Sequence, residues 1–404
     1  MLQFNEARKL ILASVPLLPP TTLPLLDALN MIAAETVIAK WNLPSFDNSA
    51  MDGYAVRTAE CTPSGELSIA ASVMAGERIE GRLPPGSTVK IMTGAPIPFG
   101  FDAVIPFEDV LLETASSITV PQGVKTGQHI RFAGEDICKG DPLVIEGTLI
   151  RAAEISMLAA SGVITLPVFR RVRVAILSTG DELVEFGQPV TDGKIVNSNA
   201  LALAAAVKEA GGEPTMLGIA ADTLESLKEK VLEGLKYDVL VTTAGVSAGE
   251  KDLVRDVLEW AGVKPYFWKV AVKPGGPTAF GMKGDIPVFA LPGNPVSSML
   301  TFEEFARPAL FKMMGHSAAF RPLFKGILGE DVSKKEGKAS IVRLKVQRDD
   351  DGFKLKSAGN QQTGLQRTLL NADAVAVLPA ERTIFRKGEA VEFHFLHDLS
   401  MLML

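Results

Sequence analysis

The chain has 404 residues, of which 47% are hydrophobic and 22% charged. At roughly 100–200 residues per domain this is two to four domains, and the charged fraction excludes long-range disorder. The formal net charge of −6, from 41 Lys plus Arg against 47 Asp plus Glu, argues against nucleic acid as a partner. It leaves room for a local basic pocket that takes a small anion.

Cys61 and Cys138 are too few for a disulfide framework or a cysteine-based zinc site. Among the histidines only His394 and His397 stand close together, in an alternating, strand-like tail. Their spacing puts the two rings on opposite faces, so solvated tail histidines are expected. No apolar run reaches the ~18 residues of a membrane span. The N-terminal stretch carries Glu6 and is cut by Pro16, Pro19 and Pro20, which does not read as a signal peptide. A cytoplasmic setting is the expectation.

In chain order, residues 3–15 read as a short amphipathic helix, and residues 22–36 as a second, with Leu25, Leu26, Leu29, Ile32 and Ala33 at helical spacing. Residues 41–140 carry short β-like runs between Gly and Pro turns and read as a β-rich module. Residues 141–169 return to a strand, a helix over 152–160 and a strand. Together with residues 1–40 they would close one helical, mixed domain around the inserted module. Residues 170–316 alternate buried strands and helices: strands at 172–177, 215–220, 238–242 and 288–291, helices at 199–210, 224–235, 252–260 and 296–314. Residues 269–272 and 278–282 read as a hairpin around Pro274-Gly275-Gly276-Pro277. That pattern predicts a doubly wound parallel sheet. Residues 317–404 alternate in β fashion with polar turns and read as a C-terminal β-barrel. The fold class is therefore multidomain, α/β plus β.

Ligands of a parallel sheet bind at the carboxyl ends of its strands. Here those ends read Ser178-Thr179-Gly180-Asp181-Glu182, then Asp222, then Thr243-Ala244-Gly245-Val246-Ser247 running to Lys251-Asp252, then Lys273-Pro274-Gly275, then Pro292-Gly293-Asn294-Pro295-Val296-Ser297. Each alone reads as a turn or a cap; Asp222 reads as the N-cap of the helix that follows it. Five such loops on one edge favour a phosphate-bearing ligand. Gly245 lets backbone N–H groups approach phosphate, Lys269 and Lys273 add positive charge, and Glu182, Asp222 and Asp252 are hard oxygen donors suited to Mg²⁺. The β-rich module has three polar loops of its own: Asp47–Val56 with Asp52, Met92–Pro96 with Thr93, and Phe132–Asp136 with Asp136. No Walker A or Gly-x-Gly-x-x-Gly signature and no Ser-His-Asp triad is present.

Taken in order, Asp47-Asn48-Ser49-Ala50-Met51-Asp52-Gly53-Tyr54-Ala55, Met92-Thr93-Gly94-Ala95-Pro96, Gly134-Glu135-Asp136, Ser178–Leu183, Gly245–Asp252, Lys273-Pro274-Gly275 and Leu291–Ser297 resemble the molybdopterin molybdotransferases, which include the E domain of gephyrin. The resemblance spans nearly the whole chain. It implies insertion of molybdenum from molybdate into adenylylated molybdopterin, release of AMP, and assistance by Mg²⁺. It implies an elongated homodimer of four-domain chains with active sites shared between subunits, and a molybdopterin adenylyltransferase as pathway partner. It further implies roles for individual residues. Glu182, Asp222 and Asp252 match the pterin-nucleotide and metal site, with Gly245 and Ser247 beside them. Asp52, Thr93 and Asp136 match positions brought by the partner's β-rich module. Lys269 and Lys273 match basic positions, Pro292 and Pro295 the rigid loop, and Ser297 a hydrogen-bond donor. Arg343 and Thr363 fall near an oxyanion-contacting Arg and Ser. Ala244 stands where the family usually has glycine, Gly276 where lysine is common and Thr363 where serine is usual. Two other readings stand beside this one: a non-catalytic scaffold on the same fold, and an adenylyltransferase of the preceding step.

Overall fold

The structure is a computed structural model that describes residues 1–244 and 253–397. The chain divides into two compact units. One comprises residues 23–29 and 35–166; the other comprises residues 1–22, 30–34 and 167 onward.

The smaller unit is built on a six-stranded sheet ordered Ala103–Pro106, Gly53–Val56, Ser87–Ile91, Glu66–Val73, Ser117–Thr119, Leu112–Glu113. Alternation along Gly53–Val56 sends Tyr54 and Val56 into one apolar cluster and Ala55 into the other, so both faces of the sheet are covered. Gly53 is required by sterics: a Cβ there would lie 2.1 Å from the Ile105 carbonyl oxygen. That close strand approach is what fixes the loop ending at Asp52. The helix expected over 22–36 does not form. Pro20–Pro24 is extended, Leu25–Ala28 makes one 3₁₀ turn, and Asn30 adopts a positive φ of 62°. Proline at 20 and 24 fixes φ and removes two N–H donors, which outweighs the helical spacing of the leucines.

In the larger unit, α1 (Phe4–Ser14) precedes a six-stranded sheet. Its elements are β1 (Arg173–Thr179), α2 (Ser198–Glu209), β2 (Glu213–Ala220), α3 (Leu224–Gly234), β3 (Val239–Thr243), α4 (Leu253–Trp260), β4 (Lys264–Phe267), β5 (Val272–Lys273), β6 (Ala279–Lys283), β7 (Ile286–Leu291), α5 (Pro295–Thr301) and α6 (Arg307–Met313). The strand order is β2-β1-β3-β7-β6-β4, with the first four parallel and β6 antiparallel to both neighbours. Val174, Ile176 and Val241 face α1, α2, α5 and α6, whereas Ala175, Leu177 and Leu240 face α3 and α4. A sheet covered on both faces accounts for the near-continuous apolar runs of its strands.

Three expectations are corrected here. The hairpin joins β6 to β7 across Gly284, at φ 55°, and not across Pro274–Pro277. The residues before that loop instead close back on themselves, Val270 N–H donating to the Gly276 carbonyl at 2.9 Å, and β5 joins the C-terminal sheet. The long helix after β7 begins at Pro295 and carries a π-helical turn, Phe302–Ala306, between α5 and α6. Finally, His394 is buried and not solvated: its Nε2 lies 2.9 Å from Oε1 of Glu304, a buried carboxylate on the π-helical turn. Burial of a carboxylate demands such a partner.

The C-terminal region is a closed five-stranded barrel. Strands β8 (Phe324–Leu328), β9 (Ala339–Asp349), β10 (Gly352–Ser357), β11 (Ala374–Leu378) and β12 (Ala390–Phe395) run in the cyclic order β9-β10-β8-β12-β11-β9. Phe324, Phe353, Phe393 and Phe395 form an aromatic cluster, with ring centroids 5.1 to 6.0 Å apart. Among the described residues no helix is long and apolar enough to cross a membrane.

Candidate functional site

The carboxyl ends of β1, β3 and β7 surround a cavity of about 420 Å³, lined by Thr179, Glu182, Asn197, Ala244, Pro292 and Pro295 among others. Glu182 reaches it because Gly180 has no side chain: at φ 137°, a Cβ on Gly180 would sit 2.5 Å from a Glu182 carboxylate oxygen. The far wall is held by Asn199, whose Nδ2 donates to the Gly293 carbonyl at 2.7 Å. Behind Thr243 and Asn197, which line the cavity, runs a buried hydroxyl chain. Thr243 Oγ1 donates to Ser178 Oγ at 3.1 Å, and Ser178 Oγ donates to Asn197 Oδ1 at 2.9 Å. Asn197 also caps α2 by accepting from Ala200 N. Asn197 and Asn199 were not among the candidates from sequence. The signal was present: an Asn directly before an apolar helical run is an N-cap, and caps at this edge face the cavity.

Of the residues expected at this rim, Glu182, Pro292 and Pro295 line the cavity. Ser297 does not line it; it is buried in α5. Asp222 is exposed, and it is not a helix cap: Thr223 caps α3, accepting from Ser226 N, because the hydroxyl one residue later has the reach. Asp222 N–H instead donates to Asp181 Oδ1 at 3.1 Å, which ties these two loops together. Lys269 and Lys273 are exposed. Gly245, Ser247, Lys251 and Asp252 lie outside the described residues. Ala244 takes a left-handed φ of 69°, the conformation that glycine adopts freely. Among the described residues no three His, Cys, Asp or Glu side chains are grouped closely enough to hold a metal.

Arg343, on β9, is fully buried. Its Nη2 donates to the carbonyls of Asn360 and Gln362, at 3.3 and 3.4 Å, while its Nε and Nη1 have no partner among the described residues. Burial pushes the guanidinium pKa down. Thr363 follows directly on Gln362 in the same loop and is half-buried.

In the smaller unit the three polar loops meet. Ser49 N–H donates to Ala95 O and Gly94 N–H to Ser49 O; Ala133 N–H donates to Asp47 Oδ1 at 2.8 Å. Asn48 and Ser49 pair in register with Arg131 and Ile130. Asp52 Oδ1 accepts both the Thr93 N–H, at 2.7 Å, and the Thr93 hydroxyl, at 2.8 Å. These two bonds, the backbone one foremost, hold the Asp52 carboxyl below the usual range, so it is an anion at neutral pH. Asp136 is exposed, its N–H anchored on the Leu43 carbonyl at 3.1 Å.

Comparison with known proteins gives the same sense over the whole length. The chain is 37% identical over 395 residues to the molybdopterin molybdenumtransferase of Haemophilus influenzae, covering 97% of this chain and 98% of that one. The chain belongs to the molybdopterin molybdenumtransferase family. Within that family it is also 36% identical to a molybdopterin molybdenumtransferase 2 of Mycobacterium tuberculosis, over 85% of this chain and 87% of that protein. Residues 2–162 match the MoeA N-terminal region (domain I and II), residues 175–312 a probable molybdopterin binding domain, and residues 325–396 the MoeA C-terminal region (domain IV). The fold is similar to the crystal structure of a molybdopterin biosynthesis MoeA protein from Pyrococcus horikosii, with TM-score 0.87 and 28% identity over 98% of this chain and 100% of that one. The multidomain α/β plus β fold is thus that of the family.

Proposed function

We propose that this enzyme inserts molybdenum, taken from molybdate, into adenylylated molybdopterin and releases AMP. The end-to-end relationship to proteins called molybdopterin molybdenumtransferase carries the reading. The site supports it. The strand-end cavity is of ligand size; outside its lining, Arg343 of the barrel has two nitrogens without a partner among the described residues, planar N–H donors of the kind that bind oxyanions. Lys273 and Ser297 would share molybdate with Arg343 and Thr363, and Lys269 would add positive charge. Glu182, Pro292 and Pro295 would bound the pterin-nucleotide, with Gly245 and Ser247 contributing backbone and hydroxyl donors.

Glu182, Asp222 and Asp252 are hard carboxylate donors, and Mg²⁺ needs only one or two of these besides substrate phosphates, so the donor set fits that ion. When bound, the ion would neutralise the phosphoanhydride. Asp52, kept anionic by Thr93, would orient a water for attack on phosphorus; the water oxygen forms the new P–O bond as the anhydride P–O bond breaks, AMP leaves, and the water's proton passes to solvent. Asp136 would help to close the pocket. We further propose a cytoplasmic homodimer in which Asp52, Thr93 and Asp136 of one subunit serve the cavity of the other. Its pathway partner would be a molybdopterin adenylyltransferase. The proposed domain division is four-part, at residues 1–40 with 141–169, 41–140, 170–316 and 317–404.

The test is molybdate-stimulated AMP release from adenylylated molybdopterin with Mg²⁺. Turnover in the wild type that is lost in Asp52→Ala and Glu182→Gln is expected. Binding without turnover would refute the reading, and undiminished turnover in Asp52→Ala would remove that residue from the chemistry.

A further inference from the structure

The two unpartnered nitrogens of Arg343 depend on a loop that the sheet itself does not hold. The β9–β10 ladder ends at the pair Leu344 and Ser357. One step further, Ala358 N–H still donates to the Arg343 carbonyl at 3.1 Å. The chain then turns away at Gly359, which has φ 114°. The Arg343 N–H would be stranded there, but the side chain of Gln361 takes the place of the missing strand. Its Oε1 accepts from Arg343 N at 3.0 Å, and its Nε2 donates to Arg343 O at 3.1 Å. The same Nε2 contacts Ser357 Oγ at 3.0 Å and Gly359 O at 3.1 Å. A side-chain amide has the donor and acceptor geometry of a peptide group, and so it can extend a ladder.

This clamp has a consequence for the guanidinium. With Gln361 fixed on the backbone of Arg343, its neighbours Asn360 and Gln362 present their carbonyls to Nη2 alone. One side of the guanidinium is thereby occupied, while Nε and Nη1 keep their donors. Thr363 comes two residues after Gln361 in the same loop. We infer that Gln361 is a positioning residue for oxyanion binding: by standing in for a β-strand it fixes the orientation of Arg343 and the approach of Thr363 to molybdate. The inference rests on the reading that Arg343 contacts molybdate.

The experiment measures KM for molybdate and for adenylylated molybdopterin, with kcat at saturation, in the full-length wild type, Gln361→Ala, Gln361→Glu, Arg343→Ala and the double variant. Folding is monitored by urea denaturation. Losing the clamp should raise the molybdate KM about tenfold, the ratio that accompanies roughly one net hydrogen bond. The pterin KM and kcat should stay within about twofold, a change too small to reflect a lost hydrogen bond. Gln361→Glu turns a carboxylate oxygen on the Arg343 and Gly359 carbonyls that Nε2 had served, so it should raise the molybdate KM at least as much as Gln361→Ala. The double variant should be no worse than Arg343→Ala, as expected for residues acting through one group. If Arg343→Ala raises the molybdate KM and Gln361→Ala does not, or raises both KM values equally, the positioning role is refuted and the Arg343 reading survives. An unchanged molybdate KM in Arg343→Ala would overturn both.

Discussion

Ala244 gives a test of the cavity wall that does not depend on the reaction. Its φ of 69° lies in the left-handed region, which costs an alanine about 1–2 kcal/mol because Cβ crowds the following carbonyl. Glycine removes that cost but adds unfolded-state entropy worth about 0.4–1 kcal/mol. Ala244→Gly should therefore stabilise the chain by about 0.5–1 kcal/mol. A second perturbation isolates the methyl. A Cβ built on Gly293 would lie 3.1 Å from the Ala244 Cβ, with Ala244 Cα next at 3.6 Å and, its chain neighbours apart, no other described residue within 4 Å. Gly293→Ala should thus cost more in the wild type than in the Ala244→Gly background, the difference being about 1 kcal/mol for two groups in direct contact. Urea denaturation of the four proteins measures both quantities. A less stable Ala244→Gly, or a coupling below about 0.3 kcal/mol, the ordinary scatter for independent sites, would refute the geometry.

Mixing inactive Asp52→Ala with inactive Glu182→Gln subunits should restore about one quarter of wild-type AMP release, since random reassortment of a two-fold dimer leaves one intact site in half of the molecules; no recovery would dismiss the shared cleft. Thr93→Val keeps the stronger backbone bond to Asp52 and removes the hydroxyl one. The Asp52 pKa should therefore rise part of the way to its ordinary value and the acid limb of the pH–rate profile should shift to higher pH; an unmoved limb would separate Asp52 from it. His316 is held down to about 4 from 6.5, first by burial and then by the Arg307 guanidinium. Its folded form is neutral, so the associated stability is complete above pH 6.5 and is lost as pH falls towards 4, about 2 kcal/mol after allowing for partial exposure of the ring. His316→Gln should flatten that slope in urea denaturation between pH 7 and pH 4.

What could be read from the sequence was what has a short-range cause. Residues 172–177 and 238–242 read as buried strands because a sheet covered on both faces needs unbroken apolar runs, and the strands run Arg173–Thr179 and Val239–Thr243. The residues after the strands read as a rim because ligands bind at the carboxyl ends of parallel strands, and Glu182, after β1, with Pro292 and Pro295, after β7, do line one cavity. The misreadings share a different cause. Residues 22–36 have leucines at helical intervals, yet Pro20 and Pro24 decide the backbone locally. Pro274-Gly275-Gly276-Pro277 looks like the stronger turn, yet the Gly284 turn makes the hairpin because only it joins strands in register.

The groups on which the proposed chemistry depends are coupled over distances that no pattern in the sequence expresses. Asp52 is held by Thr93, 41 residues away, and Asp47 by Ala133, 86 residues away. His394 bonds Glu304 across 90 residues. Arg343 shows the limit most clearly. Nothing in its neighbours along β9 indicates that it is buried without a counter-ion. Nothing indicates that a glutamine 18 residues later completes its ladder. An uncompensated buried guanidinium is costly; on the proposal that Arg343 holds molybdate, that cost would be accepted for specificity toward an anion. Substituting Arg343 by Met should accordingly abolish molybdate affinity without lowering the urea midpoint; a large loss of stability would mean that the guanidinium serves the barrel itself.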